Sequence, residues 1–279
     1  IMAENFSLTD EQVVFYHANG YLVVEKVFTP EECDFAVALF EKYALPDYRG
    51  IMNIERGFVE YHEYAKTVGG IDVTARILVE DVDAKWVWEN LLRRPVIVVT
   101  LDTLQGDEAV QLQSMFLFKR CGTRYANQAW WPHQDAAYPS ADYGKYITGN
   151  ICFTDQDPSN GGMYIYPGSH QEPILPYESM KSFHEGAGEN PGHRVVVPDT
   201  YPKVDLYFRQ GCVLFLHGNV IHGSYPNQSA KRSREMLLIP YGTKGISDGK
   251  TFKIGRTGQR YEHSLRKSWR ENFGERNGR

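Results

Sequence analysis

The sequence lacks two features that would assign it at once to a common class of protein. No apolar run approaches the roughly 20 residues that a membrane-spanning helix requires, which argues against an integral membrane protein. The chain has only four cysteines, far apart at Cys33, Cys121, Cys152 and Cys212, and no two of them form a CxxC pair. A zinc ribbon, a redox pair and a disulfide scaffold are therefore disfavoured, and we expect mostly buried free thiols in a reducing compartment.

An excess of positive charge is also missing. The chain has 30 lysines and arginines against 35 aspartates and glutamates, which gives a formal net charge of −5. Proteins that bind nucleic acids or membrane surfaces in a general way are usually basic, so we predict neither kind of partner. The N-terminus lacks the basic-then-apolar pattern of a signal peptide, and we expect a cytoplasmic protein.

What the sequence does contain is the composition of a folded globular protein. Hydrophobic residues make up 42% of the 279 residues, charged residues 23% and aromatic residues 13%, which suits one large domain. In the first third, capping residues and apolar periodicity predict helices over 8–19, 29–45 and 81–95, a strand over 21–28, and an ordered loop or short helix within 46–75.

From Val96 onward the pattern changes to strands. Runs rich in β-branched and aromatic residues, separated by Gly, Pro, Asn and Asp, predict strands over 96–102, 110–120, 146–155, 162–168, 193–198, 212–217 and 235–242. The order of helices first and strands later favours a mainly β fold, a sandwich or jelly roll with helices on its outer face. We predict one domain over 1–279, with a helical part over about 1–95, a β core over about 96–245 and an extension over about 246–279. That extension contains either a docked helix around 264–273 or a loose end.

The sharpest chemical signal is the pair His133 and Asp135 in the segment WPHQD. On a strand, residues two apart point to the same face, so both side chains can hold one metal ion. A third ligand must come from a distant strand, and His222 in HGNVIHGS is the candidate, with His217 as its competitor. Two imidazoles and one carboxylate form the facial triad of non-haem Fe(II) oxygenases, which leaves coordination positions open. We favour His222 and interpret His217 as a hydrogen-bonded structural histidine.

An arginine follows the distal histidine at the start of a predicted strand. The planar guanidinium of Arg234 suits a bidentate grip on a carboxylate, and Ser224 can add a hydroxyl donor. 2-Oxoglutarate requires this arrangement, because its keto-acid end chelates iron while its far carboxylate needs a positive partner. Arg232 lies two residues earlier on the same strand face and is the alternative anchor.

Together these segments resemble the phytanoyl-CoA dioxygenase family of Fe(II)/2-oxoglutarate oxygenases. The likeness covers most of the chain: LTDEQ from Leu8, FYHANGYLVV from Phe15, FTPEE from Phe28, HQD from His133, NGG from Asn160, YPGSH from Tyr166, HG from His217, HGS from His222, NQS from Asn227, and Arg234. Relatives usually place the co-substrate arginine eleven residues after the distal histidine, where this chain has Ser233. We choose Arg234 over Arg232 because its spacing to Tyr241 matches the family's strand.

The resemblance implies a double-stranded β-helix, a cupin-like jelly roll. It implies Fe(II), 2-oxoglutarate and O₂ as cofactor and co-substrates, and His133, Asp135 and His222 as the iron ligands. It also implies 2-oxoglutarate contacts from a further set of residues: Arg234, Ser224, Gln134 and Asn150.

Several side chains near the triad are candidates for contact with a small-molecule substrate. Arg120, Arg124 and Tyr125 precede the triad in a segment that mixes cations with aromatics, and charge complementarity predicts an anionic or zwitterionic substrate. Tyr138 and Tyr143 belong to a predicted loop over the iron. Residues 178–192, rich in glycine, are predicted to form a mobile lid.

We therefore predict an Fe(II)- and 2-oxoglutarate-dependent dioxygenase that hydroxylates a C–H bond of a small polar metabolite or natural-product intermediate and releases succinate and CO₂. Related halogenases have Gly or Ala in place of the carboxylate ligand, so Asp135 favours hydroxylation over halogenation. The alternatives are desaturation, epoxidation or rearrangement at the same centre, a non-catalytic metal- or ligand-binding member of the fold, and a Zn or Mn hydrolase.

Overall fold

The computed structural model describes residues 6–44, 51–55, 58–61, 67–68, 71–72, 77–181, 189–246 and 262–274. Its helices lie mostly in the first 105 residues: α1 (Asp10–Asn19), α2 (Pro30–Lys42), α3 (Asp81–Val87), a π-helical segment (Trp88–Leu92), α4 (Pro95–Gln105) and, near the C-terminus, α5 (Trp269–Phe273). Short 3₁₀ turns follow at Arg124–Asn127, Asp135–Ala137 and Ser169–Gln171.

The described chain also contains eighteen strands. They are β1 (Tyr21–Val24), β2 (Ile51–Glu55), β3 (Phe58–Tyr61), β4 (Thr67–Val68), β5 (Ile71–Asp72), β6 (Ile77–Leu78), β7 (Ala109–Gln111), β8 (Met115–Lys119), β9 (Trp130–His133), β10 (Tyr146–Cys152), β11 (Met163–Ile165), β12 (Tyr177–Lys181), β13 (Glu189–Val195), β14 (Val204–Asp205), β15 (Val213–His217), β16 (His222–Ser224), β17 (Arg234–Thr243) and β18 (His263–Ser264).

Two antiparallel sheets form the core. The larger runs in the order β1-β15-β10-β17-β8-β2-β3-β6, with β7 and β18 joined to it through β17, and the smaller runs β14-β11-β16-β9. Hydrogen bonds between side chains cross from one sheet to the other, from Lys119 of β8 to Ser224 of β16 and from Thr148 of β10 to Asp135 just after β9. The sheets therefore face each other, and the predicted mainly β, jelly-roll fold is confirmed.

The helices begin and end where local chemistry requires. Thr9 and Thr29 each form a capping box, which satisfies free backbone N–H groups at the starts of α1 and α2. Gly20 ends α1 in the left-handed conformation, with φ +80°. The ring of Phe40 in α2 stacks on that of Phe116 in β8 at 4.2 Å between centroids, so α2 covers the outer side of the larger sheet.

The segment 96–102, predicted as a strand, is instead part of helix α4. Pro95 occupies the first turn and Gly106 ends the helix in the left-handed conformation. The buried residues Ile97, Thr100, Leu101 and Leu104 recur at helical spacing, so the helix buries one face. The β-branched composition suggested a strand, but packing of this face decides the structure.

Smaller differences concern the ends of elements and one predicted loop. The described parts of 46–75 contain strands β2 to β5 rather than a loop or short helix. The helix predicted over 81–95 is a shorter α-helix continued by the π-helical segment. Phe273 of α5 packs edge-on against Trp88 at 5.3 Å, so the alternative of a docked C-terminal helix is confirmed.

The described residues include no helix that is both long and apolar enough to cross a membrane. All four cysteines are free thiols, with three of them buried and Cys121 half-buried, as the sequence predicted.

Candidate metal centre and anion pocket

Two neighbouring strands of the smaller sheet, β9 and β16, bring His133, Asp135 and His222 together. His222 lies directly opposite His133 across the β9–β16 pair. Nε2 of His133 lies 3.4 Å from Oδ1 of Asp135, and Nε2 of His222 lies 3.6 Å from Oδ2 of Asp135. One possible ligand atom from each of the three buried residues lies within 4.8 Å of the others. Among the residues that the structure describes, this is the one group of three such side chains close enough to hold a metal ion.

Both imidazoles are fixed in the orientation that a metal requires. Nδ1 of His133 lies 2.7 Å from the carbonyl oxygen of Trp131, and Nδ1 of His222 lies 3.1 Å from that of Val220. A carbonyl only accepts a hydrogen bond, so in the neutral imidazole each Nδ1 carries the proton and Nε2 keeps the lone pair. A backbone carbonyl that fixes the tautomer in this way is the usual outer-sphere partner of a metal-binding histidine.

The protonation states of Asp135 and His222 suit the binding of a cation. Burial by itself raises the pKa of Asp135, but His222, His133 and the Thr148 hydroxyl together outweigh it and lower the pKa. Burial lowers the pKa of His222 to about 4, although the charge of Asp135 opposes that shift. At neutral pH the group therefore offers an ionised carboxylate and an unprotonated His222 imidazole.

Local backbone geometry explains why these side chains converge. The strand β9 ends at His133, and Asp135 begins the following 3₁₀ turn rather than lying on the strand as predicted. Gln134 keeps an extended conformation (φ −118°, ψ 122°), so the side chains on either side of it still share a face. On the opposite strand, a Cβ at Gly223 would lie 2.4 Å from the Tyr164 hydroxyl oxygen, so only glycine fits between His222 and Ser224.

A second group, deeper between the sheets, contains two buried cations. Lys119 ends β8 and Arg234 begins β17, and the two are direct partners across that antiparallel pair. Lys119 is 0% exposed and Arg234 1% exposed. Nζ of Lys119 donates to Oγ of Ser224 at 2.7 Å and to the carbonyl of Tyr225 at 2.6 Å. Burial, together with the positive charge of Arg234, lowers the pKa of Lys119 well below its usual range.

Arg234 has unused donor capacity inside the protein. Its Nε donates to Oε1 of Gln156 at 3.2 Å. Within the described part of the chain, Nη1 of Arg234 and Nε2 of Gln156 are buried without a hydrogen-bond partner, and neither Lys119 nor Arg234 forms an ion pair. A buried guanidinium without a counter-charge is costly. These donors match a carboxylate, and we name Lys119, Gln156, Ser224 and Arg234 the anion pocket.

The structure distinguishes the two candidate arginines. Arg232 is 44% exposed in its side chain and forms an ion pair with Asp157 at 2.7 Å. Arg234, by contrast, is buried beside Lys119 and retains free donors. Ser224 lies in the anion pocket as well, where its hydroxyl accepts from Lys119. Arg234 and Ser224 are therefore the predicted 2-oxoglutarate residues that the fold brings together.

Gln134 is not brought to this pocket. It lies between two residues whose side chains share a face, so its own side chain points the opposite way. Its amide nitrogen donates to the carbonyls of Pro173 and Asn219, and its amide oxygen accepts from the N–H of Leu175. Gln134 thus fastens two loops behind the metal centre, and the structure gives no support to the predicted co-substrate contact.

Asn150 lies on the inner face of β10, two residues beyond Thr148. Its amide nitrogen donates to Oγ1 of Thr148 at 3.3 Å and to the Leu214 carbonyl at 3.2 Å. Its amide oxygen is buried without a partner among the described residues. Asn150 therefore borders the metal centre through Thr148, with one polar atom still available to a ligand.

The predicted substrate residues separate into two groups. Arg120 forms ion pairs with Glu41 of α2 and with Glu235, so it faces the helix side of the larger sheet and is not brought to the triad. The side chain of Arg124 lies outside the described residues. Tyr125 is buried, and its hydroxyl accepts from Nε1 of Trp130 at 3.3 Å. Tyr125 lies near the anion pocket, because the charge of its ionised hydroxyl would raise the pKa of Arg234.

Tyr138 and Tyr143 occupy different places. The ring of Tyr138 lies 6.0 Å from that of His133, beside the triad. Tyr143 is 58% exposed and packs at 4.9 Å on the ring of His217. His217 itself accepts a hydrogen bond at Nδ1 from the N–H of Asn219, in agreement with its interpretation as a structural histidine. The tip of the predicted lid, 182–188, lies outside the described residues.

Three residues of the site were missed by reasoning from the sequence: Lys119, Thr148 and Gln156. Oγ1 of Thr148 donates to Oδ2 of Asp135 at 3.2 Å and so helps to orient the carboxylate. Lys119 did carry a signal, because it ends an otherwise apolar strand, MFLFK, in which a lysine is unusual. Thr148 and Gln156 carried none, since their roles depend on contacts between distant strands.

Comparison with known proteins adds an independent finding. The family model described as Phytanoyl-CoA dioxygenase (PhyH) matches residues 16–236 of the chain. The chain is 24% identical over 262 residues to "Phytanoyl-CoA dioxygenase, peroxisomal" of Rattus norvegicus, an alignment that covers 92% of this chain and 74% of the rat protein.

Similar solved structures share the fold at low sequence identity. The non-heme alpha ketoglutarate dependent carbocyclase SnoK from nogalamycin biosynthesis superposes with a TM-score of 0.60 at 21% identity, covering 95% of this chain and 97% of SnoK. The epimerase SnoN, in complex with Fe3+, alpha ketoglutarate and nogalamycin RO, gives a TM-score of 0.61 at 18% identity, covering 91% of this chain and 94% of SnoN.

Proposed function

The chain belongs to the phytanoyl-CoA dioxygenase family, and from that premise we propose that it is an Fe(II)- and 2-oxoglutarate-dependent dioxygenase that hydroxylates a C–H bond of a small molecule. His133, Asp135 and His222 would hold the iron. Lys119 and Arg234 would bind the far carboxylate of 2-oxoglutarate. Succinate and CO₂ would be released with the oxidised product.

The observation that carries this proposal is the unpaired guanidinium of Arg234. It is 1% exposed, its Nη1 has no partner among the described residues, and its neighbour on the adjacent strand is the buried Lys119. Such a pocket needs an anion to offset the burial of positive charge. Ser224, two residues after His222 on β16, accepts a hydrogen bond from Lys119 and so links the anion pocket to the metal centre. One ligand that chelates a metal and carries a distant carboxylate therefore satisfies both the metal centre and the anion pocket.

Some residues of the site would bind the metal ion, and others orient the side chains that bind it. The two imidazoles and Asp135 would hold the metal ion with three ligand atoms, a ligand set that leaves coordination positions for a co-substrate. Thr148 holds one oxygen of Asp135, and Asn150 in turn donates to Thr148. Iron bound here would supply the activation of O₂ and the oxidising power, while the protein supplies a site from which bulk water is largely excluded.

Hydroxylation is the outcome that the metal ligands favour. Asp135 keeps a carboxylate in the coordination sphere, whereas halogenation requires that position to be free for chloride. SnoK and SnoN are described as a carbocyclase and an epimerase, so the same fold supports other reactions. The choice among them depends on how the substrate is held rather than on the three ligands.

The test combines a spectroscopic and a catalytic measurement. Under anaerobic conditions, Fe(II) and 2-oxoglutarate added to the wild-type protein should give a weak visible charge-transfer band, and O₂ should then yield succinate. His133→Ala and Asp135→Ala should lose both signals because a ligand is removed. His17→Ala, which changes an exposed histidine of α1, is the matched control and should retain them.

Normal succinate formation in either ligand variant would contradict the triad. Absence of the band from a wild-type protein shown by metal analysis to contain Fe(II) would instead support a non-catalytic binding protein. Turnover with Zn or Mn and without O₂ uptake would support a hydrolase.

A further inference from the structure

Exposed aromatic side chains lie near the triad, and the proposed function does not yet explain them. Trp131, Tyr138 and Tyr177 are 40%, 42% and 48% exposed, whereas large aromatic side chains such as Trp88, Phe116 and Phe215 are fully buried. The pairing of β9 with β16 shifts register between Trp130 and His133, and Trp131 lies within that segment, two residues before His133. The ring of Tyr138 lies 6.0 Å from that of His133. The exposed ring of Tyr138 therefore borders the metal centre.

These rings are held in fixed planes by residues of β13. His193 is stacked between Tyr138 and Tyr177, with ring centroids 4.2 and 3.8 Å away and an interplanar angle of 17° on each side. The backbone N–H of His193 also donates to the Tyr138 hydroxyl at 3.1 Å. The next residue, Arg194, places its guanidinium 5.0 Å from the centre of the Trp131 ring. We name Trp131, Tyr138, Tyr177, His193 and Arg194 the aromatic platform.

Arg194 places one exposed guanidinium at the edge of the platform. The side chain of Arg194 is 53% exposed, and its one ion pair among the described residues is with Glu178 at 3.6 Å. An exposed pair at that distance contributes little, so Arg194 can exchange it for an anionic group of a ligand. Burial lowers the pKa of His193 to about 4, so the middle ring of the stack is neutral at pH 7.

We infer, on the basis of the proposed function, that the aromatic platform selects a substrate with a flat aromatic or multi-ring face that carries an anionic group. Preset rings favour flat partners in offset-stacked or edge-to-face contact. A rigid ring system also loses little conformational freedom on binding, while a flexible chain of equal apolar area loses more. Arg194 pairs with the anionic substituent. This surface does not suit a small polar metabolite, which is one of the two substrate classes predicted from the sequence.

The experiment uses 9-anthracenecarboxylate as a fluorescent probe and decanoate as a flexible competitor of the same charge. The full-length protein loaded with Fe(II) and 2-oxoglutarate is titrated without O₂. We expect saturable binding of the probe, with decanoate at least 10-fold weaker as a competitor. Trp131→Leu and Tyr138→Leu should each weaken probe binding about 10-fold. Tyr207→Leu is the matched control, because Tyr207 is 72% exposed and follows β14 at the opposite edge of the smaller sheet.

Three results would overturn the inference: absence of probe binding, equal affinity for decanoate, or unchanged affinity in both platform variants. Circular dichroism of the variants separates lost binding from lost folding, and Tyr177→Leu, on a different strand, provides a third variant. The wild-type charge-transfer band tells the two proposals apart. A band without probe binding rejects the platform alone, whereas a missing band rejects the oxygenase.

Discussion

The two polar groups between the sheets differ in how their charges are matched. At the metal centre, one carboxylate lies between two imidazoles, and each imidazole has a backbone carbonyl behind it. In the anion pocket, two cations are neighbours, and no acidic side chain in the described ranges pairs with either of them. The first group is a set of acceptors prepared for a cation, and the second is a set of donors prepared for an anion.

This contrast shows that neither group is explained by stability of the protein alone. Buried charges normally occur as pairs, because an unpaired charge costs several kcal/mol. The anion pocket departs from that rule at two adjacent positions, Lys119 and Arg234. The unpaired Lys119 and Arg234 lower the stability of the ligand-free protein but favour the binding of an anion. Their removal should therefore weaken ligand binding and raise stability.

The largest effect is expected when the anion pocket is made apolar. Lys119→Met and Arg234→Met should each weaken 2-oxoglutarate binding about 10- to 100-fold, the loss expected for a hydrogen bond between charged groups. The same changes should raise the free energy of unfolding of the ligand-free protein by about 1–4 kcal/mol, because a buried, poorly paired polar group becomes an apolar one. Calorimetric titration and urea unfolding measure the two quantities.

Arg232→Met is the control for this prediction, since Arg232 is ion-paired at the surface. It should leave 2-oxoglutarate affinity unchanged within about twofold. If Lys119→Met and Arg234→Met lowered both affinity and stability, the two cations would be structural residues and the contrast between the two groups would fail.

The sequence was informative where a role depends on neighbours along the chain. His133 and Asp135 are two residues apart, so strand alternation was enough to group them. The distal segment from His222 to Arg234 is short, and Ser224 was predicted there as an added hydroxyl donor. The choice of Arg234 over Arg232 depended on the family's spacing to Tyr241. Geometry then altered one detail, since Asp135 begins a turn and the extended Gln134 preserves the shared face.

The sequence was uninformative where a role depends on pairing across sheets. Lys119 meets Ser224 across 105 positions, and Asn227 reaches the Lys119 carbonyl across 108. No local pattern encodes such separations. Helix α4 was missed for a related reason: its β-branched residues favour a strand locally, but Pro95 and Gly106 mark helix ends and burial of one face stabilises the helix.

A smaller effect is expected at the partner of Asp135. Thr148→Val keeps the shape of the side chain but removes the donor to Oδ2 of Asp135. Loss of such an outer-sphere contact typically weakens metal binding by 10- to 100-fold, and we expect about 10-fold here because both imidazoles keep their carbonyl partners. Competition with a metal-sensitive dye measures the change. Thr148→Ser, which restores the hydroxyl, should bind metal like the wild type.

Equal metal affinity in Thr148→Val and the wild type would show that the two histidines alone orient the site. In that case the metal centre would be less dependent on the larger sheet than the hydrogen bond implies. The anion pocket, whose donors come largely from that sheet, would then be the sole group that couples the two sheets to ligand binding.

The smallest effect concerns a histidine that resembles His222 in burial but has no carboxylate beside it. Burial, with the nearby His170 and His17, lowers the pKa of His217 to about 4, below the usual 6.5; Tyr16 and Tyr143 also face its ring. The unfolded chain therefore binds more protons between pH 6.5 and 4, so stability falls as the pH falls through that window. The fall in the free energy of unfolding due to His217 is at most about 3 kcal/mol.

His217→Gln, whose amide oxygen can still accept from Asn219, should lose less stability between pH 7 and pH 4.5 than the wild type in urea unfolding of the metal-free protein. An identical loss in both proteins would mean that His217 does not contribute to the acid sensitivity.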